Sequence, residues 1–107
     1  MALKEKKCEP CSGEETPLKG DDVKEMLNEL KGDWKSVDDK KIRNSFSFDS
    51  YMEGVKFSDK VAELADEEGH HPDICIHYKK VEIEITTHAI NGLSENDFIL
   101  AAKIDDI

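Results

Sequence analysis

No stretch of this sequence approaches the ~20 consecutive apolar residues that a membrane-spanning helix needs. Basic residues are in deficit, 15 Lys and Arg against 25 Asp and Glu, for a formal net charge of −10. Residues 1–20 hold four Lys and four Glu and cancel, so the whole deficit falls on residues 21–107. A body that negative repels phosphate backbones and anionic bilayers, which argues against direct nucleic-acid or membrane partners. Cysteine is scarce and odd in number; Cys8, Cys11 and Cys75 do not make a disulfide framework. The start lacks the apolar stretch of a secretory signal, because Lys4, Glu5, Lys6, Lys7 and Glu9 interrupt it, and its acids are wrong for a transit peptide. The expectation is a reducing, cytoplasmic setting. There is also no Gly-rich phosphate loop and no nucleophile elbow.

What is present is ordered. The 107 residues suffice for one core. Residues 1–19 read as a polar tail, broken by Pro10, Gly13 and Pro17, and residues 20–107 as the folded domain. Val23, Met26, Leu27 and Leu30 share one face of a helix that Gly32 can close. Trp34 and Ser36 open a short strand, and Val37–Lys40 is turn-like. Ile42, Asn44, Phe46 and Phe48 then alternate with polar residues, as a half-buried strand does. Ser50 with Glu53 is a capping box for a second helix reaching about Glu68, where Gly69 stops it. Ile74, Ile76 and Tyr78 share one strand face and Val81, Ile83 and Ile85 another, joined as a hairpin through Lys79-Lys80. Ser94 and Asp97 cap a last helix, with Leu93 stapled to Phe98. The order α-β-β-α-β-β-α predicts an α+β fold, a four-stranded antiparallel sheet with three helices on one face. The other face, bearing Glu82 and Glu84, is left to solvent or a partner subunit, and open edge strands invite self-association.

All four histidines lie within residues 70–88. His70 and His71 follow the helix-ending Gly69 and precede Pro72, on a loop restrained at both ends. His88 ends the strand running from Val81, whose hairpin partner begins just after Pro72. A hairpin sets the start of its first strand beside the end of its second, so His88 belongs near His70 and His71. Metal binding, ordinary loop histidines and proton transfer all remain open for this group. Two adjacent histidines suit one metal ion poorly, whereas an imidazole with a pKa near ~6.5 donates or accepts at neutral pH. Cys8 and Cys11 form a single Cys-x-x-Cys without the second pair a zinc ribbon needs, and are expected on a solvent-exposed tail. Cys75 reads as a structural strand residue. Asp66, Glu67 and Glu68 form the solvated end of the second helix, although negative charge there opposes the helix dipole. Asp97 is sufficiently explained as a helix cap.

Taken in order, these residues resemble the active-site signature of the pterin-4a-carbinolamine dehydratases. That pattern is an acid, three positions, His-His-Pro, five positions, an aromatic, nine positions, a His, then an Asp eight or more positions on; Asp66, His70-His71-Pro72, Tyr78, His88 and Asp97 fill it in full. The Gly32-Asp33-Trp34 corner and the Gly92–Asp97 entry to the last helix are also similar to the family's, so the resemblance spans residues 21–107. Asp66 stands where animal members often have the longer Glu. The resemblance implies the same α+β fold, assembled as a homodimer or homotetramer. It implies removal of water from a 4a-hydroxytetrahydropterin to give the quinonoid dihydropterin, in tetrahydropterin recycling, with neither metal nor organic cofactor. His70 and His88 would then be the acid–base pair and His71 would hold the pterin. Asp66, Pro72 and Thr87 would lie around the substrate, and Asp97 would orient or tune a neighbouring imidazole. Tyr78 would pack first and wall the pocket second. Some animal relatives also serve as dimerisation cofactors of a transcription factor, which leaves a non-catalytic interaction module as the alternative.

Overall fold

The period-two segments pair as their faces demand. In the computed structural model, which describes residues 2–10 and 12–107, seven main elements follow in the expected order. They are α1 (Asp21–Asn28), β1 (Lys35–Val37), β2 (Lys41–Ser47), α2 (Tyr51–Glu68), β3 (Asp73–Ile76), β4 (Lys80–Ile85) and α3 (Glu95–Ile104). The strands form one antiparallel sheet, β1-β2-β4-β3. Its register sets Ile42 against Ile85, Phe46 against Val81, and Ile74 against Ile83. Ile42, Val81, Ile83 and Ile85 therefore point the same way and are fully buried. They share one core with Val23 of α1, Val61 of α2, and Phe98, Ala101 and Ile104 of α3. The opposite face keeps its charges, where Glu84 takes Lys41 at 3.2 Å and Arg43 at 3.5 Å.

Local signals explain most boundaries. Asp38 and Asp39 both adopt positive φ, 54° and 55°, the left-handed pair that a two-residue hairpin between twisted strands requires. Ser50 Oγ accepts the Glu53 amide at the start of α2, while the Glu53 carboxylate takes the Asp49 amide. Gly69, at φ 70°, ends α2 in the left-handed conformation. Among the described residues no helix is long and apolar enough to cross a membrane.

Three expectations need correction. First, α1 ends at Asn28, and Leu30 reaches the core through a tighter turn onto the Leu27 carbonyl. Gly32 is not a helix stop. The Asp105 carboxylate takes both the Gly32 amide, at 2.8 Å, and Trp34 Nε1, at 2.9 Å, and any Cβ at position 32 would collide with it. Second, β3 ends at Ile76, since the His77 amide already closes the turn onto the Lys80 carbonyl. Tyr78 therefore lies in the turn, 72% exposed, rather than packed on the sheet. Third, the segment before residue 10 is not free in solvent. Leu3 is buried in the core, and Cys8 is only 7% exposed. Cys11, and with it any pairing of the two Cys-x-x-Cys thiols, lies outside the described residues.

Candidate active site

The helix stop of α2 aims the first histidine. After Gly69 turns the chain, the His70 amide still reaches the Ala65 carbonyl at 3.2 Å, and the His70 ring passes inward to Asp97, Nε2 to Oδ1 2.6 Å. The Asp97 carboxylate is completely buried. Its other oxygen accepts the Ser94 amide at 2.9 Å and the Thr87 hydroxyl at 2.8 Å. Thr87 Oγ1 also lies 2.8 Å from Ser94 Oγ. One side chain thus caps α3 and grips His70. A carboxylate only accepts, so His70 Nε2 carries a hydrogen and Nδ1 is the ring atom left for other partners.

His88 does not end β4, which stops at Ile85. It opens a short 3₁₀ turn, His88–Ile90, closed by Asn91 at φ 51°. The Thr87 amide pairs with the Gly92 carbonyl at 2.9 Å, pinching this turn at its base. Hairpin pairing nevertheless brings it alongside: Asp73 lies opposite Glu84, so the loop before β3 and the turn after β4 stand side by side. His70, His71 and His88 line one cleft of about 250 Å³, with Thr86 and Thr87 on the same wall.

The remaining expected residues are placed less uniformly. His71 is 64% exposed, and its Nε2 lies 3.1 Å from Oδ1 of Asp66, itself 84% exposed. This pair gives the ill-placed acid at the end of α2 a partner. Asp66 and Pro72 are not among the cleft's walls, and the Thr87 hydroxyl is already engaged by Asp97 and Ser94. His77 stands apart in the β3–β4 turn, near Cys75 and Glu82. Among the described residues no three His, Cys, Asp or Glu side chains are grouped as a metal ion requires.

Sequence reasoning missed the far side of the cleft. Glu9 and Pro10 of the N-terminal segment and Asn96 of α3 complete it. Cys8 donates its amide to Glu68 Oε1 at 2.9 Å and its thiol to the Asn96 carbonyl at 3.5 Å. Burial, and then the Glu68 carboxylate beside it, push the Cys8 thiol up to about 12. Burial alone would raise the Glu68 carboxyl, but the Lys103 ammonium at 2.7 Å and the Cys8 amide outweigh it and hold the group below its ordinary range.

A model of the family described as pterin 4 alpha carbinolamine dehydratase matches residues 16–107. A Rubrobacter xylanophilus protein, provisionally named pterin-4-alpha-carbinolamine dehydratase, is 46% identical over 103 residues, 96% of this chain and 95% of the relative. A Nitrosospira multiformis protein of the same name is 46% identical over 105 residues, 98% of this chain and 91% of the relative. A crystal structure from Brucella melitensis, described as a transcriptional coactivator/pterin dehydratase, superposes with a TM-score of 0.77 at 30% identity, covering 85% of this chain and 97% of that one. A pterin dehydratase-like protein, identified as a RuBisCO assembly factor in the alpha-carboxysome, gives a TM-score of 0.56 at 25% identity over 70% of this chain and 86% of that one. The fold, the His-His-Pro loop facing His88 and a match running to the last residue assign the chain to the pterin-4a-carbinolamine dehydratases, a family of lyases.

Proposed function

We propose that this protein dehydrates a 4a-hydroxytetrahydropterin to the quinonoid dihydropterin, with His70 and His88 as the proton-transfer pair. The reaction breaks the C4a–O bond, and the departing hydroxide takes a proton to leave as water. The N5–H bond gives up its proton, and its electron pair becomes the new N5–C4a double bond. Nothing is oxidised or reduced, so one proton donor and one proton acceptor are enough. The observation that carries this reading is the convergence of His70, His71 and His88 on one cleft, with His70 locked to the buried Asp97. His71, steadied by Asp66, would hold the pterin at the cleft mouth. Pro72 would fix the backbone behind it, and Thr87 would act through Asp97.

Self-association into a homodimer or homotetramer is part of the proposal. The β3 edge carries the exposed Ile76, and Tyr51 and Met52 at the start of α2 are also exposed. The coactivator and assembly-factor descriptions of the two solved relatives favour a second reading, a non-catalytic interaction module. Ultraviolet kinetics on freshly generated carbinolamine separate the two. The wild-type protein should accelerate dehydration well above the spontaneous rate, and His70→Ala and His88→Ala should each lower kcat by ~10²–10⁴ while staying folded. Wild-type rates in both variants refute the acid–base assignment, and no acceleration by the wild type leaves the interaction role.

A further inference from the structure

The N-terminal segment is built onto the histidine cleft. Leu3 is seated in the core and Cys8 is buried, so the chain between them is held at both ends. Asn96 of α3 clamps the next residue from both sides: the Glu9 amide donates to Asn96 Oδ1 at 3.0 Å, and Asn96 Nδ2 donates to the Glu9 carbonyl at 2.7 Å. With both backbone groups of Glu9 occupied by Asn96, the carboxylate is the hydrogen-bonding group that Glu9 has left at the cleft it lines. Among the described residues lining the cleft Glu9 is the one carboxylate, and among the described residues no cation or N–H group is paired with it. Glu9 also lies outside the residues 16–107 matched by the family model.

A pterin carries two parallel N–H donors, on N3 and on the 2-amino group, spaced like the fork of an amidine. A carboxylate meets such an edge with two short, charge-assisted hydrogen bonds. We propose that Glu9, held over the cleft by Asn96, is a specificity-determining residue that reads this 2-amino–N3 edge while the histidines work on the C4a–N5 bond. The proposal rests on the function argued above. Its ligand class is the 2-amino-4-oxo heterocycle, distinguished from a 2,4-dioxo one whose C2 oxygen would face the carboxylate and repel it.

The experiment pairs turnover with binding. For Glu9→Gln, KM for the carbinolamine should rise about tenfold, as loss of a charged hydrogen-bond acceptor predicts, with the effect falling on KM rather than kcat. Fluorescence titration with pterin and with its 2,4-dioxo analogue lumazine should show wild-type preference for pterin by about tenfold, and Glu9→Gln should erase that preference. Asn96→Ala, which frees the Glu9 backbone, should move KM and selectivity the same way. Wild-type turnover combined with unchanged KM and selectivity in Glu9→Gln overturns this proposal alone. Absence of turnover in the wild-type protein overturns the dehydratase reading, and this one with it.

Discussion

Two oxygens on Asp97 serve three donors, the His70 ring, the Ser94 amide and the Thr87 hydroxyl, and each donor ties the residue to a different part of the fold. Asn in its place would keep the shape but offer one acceptor oxygen and turn an NH₂ group toward a donor. Asp97→Asn should therefore lower kcat by about 10²-fold, the scale of one misoriented acid–base group. The pH profile of kcat should move, with KM little changed. Thermal or denaturant unfolding should also show a loss of about 1–3 kcal/mol from the stranded buried donor. A stability loss without a kcat effect would leave Asp97 as a cap only. At Cys8 the surroundings make the thiol inert. A thiol pushed up to about 12 by burial and by Glu68 is thiolate for only about one molecule in 10⁴ at pH 8. Iodoacetamide mapped by mass spectrometry at pH 8 should modify the exposed Cys75 while Cys8 stays unmodified until the protein is unfolded. Early labelling of Cys8 in the folded protein would show that the segment around it opens.

At the scale of elements, Glu68 joins three pieces of chain: it ends α2, pairs with Lys103 of α3 at 2.7 Å and accepts the Cys8 amide of the N-terminal segment at 2.9 Å. Its carboxyl titrates below the ordinary 4.5 in the folded state. A depressed folded value contributes stability that is fully present above the unfolded value and is lost as pH falls through the folded one. The thermal midpoint should hold down to about pH 5 and drop on further acidification. Glu68→Gln should cost about 1–3 kcal/mol at pH 7, because the half-buried Lys103 loses its partner, and its acid limb should be shallower than the wild type's. Equal acid limbs would assign the transition to other carboxylates. The same elements show what a linear reading reaches. The Val81/Ile83/Ile85 alternation and the Gly69 and Ser94 signals were legible because each depends on neighbours within a few positions. From them the side-by-side placement of His70, His71 and His88 followed, since hairpin geometry alone supplies it. The role of Gly32 was not legible, because its cause is Asp105, 73 positions away. The docking of Cys8 and Glu9 was hidden for the same reason, their partners Glu68 and Asn96 lying 60 and 87 positions off. Tyr78 was misplaced because alternation says nothing about where a hairpin turns.

For the whole molecule the governing imbalance is charge, and its two consequences oppose each other under salt. Residues 21–107 carry the entire −10, so self-repulsion weakens the compact state and screening should relieve it. The N-terminal segment is neutral in sum, but its lysines reach onto the acidic body, Lys4 to Asp106 at 3.4 Å and Lys6 to Glu95 at 3.1 Å. Those contacts are exposed, and exposed pairs contribute little at low salt and less when screened. The segment's other anchors, the buried Leu3 and the Asn96 clamp, are short-range and insensitive to salt. Raising NaCl from about 10 mM to 200 mM shortens the Debye length from about 30 Å to below 10 Å. The global thermal midpoint should then rise, because many unpaired acids gain while few paired ones lose. Trypsin cleavage after Lys6 and Lys7, followed by mass spectrometry below the unfolding transition, should accelerate by about two- to fivefold, the weight of the screened pairs. A falling midpoint would mean that the surface ion pairs outweigh the repulsion. Unchanged cleavage would mean that the apolar and backbone anchors alone hold the segment against the cleft.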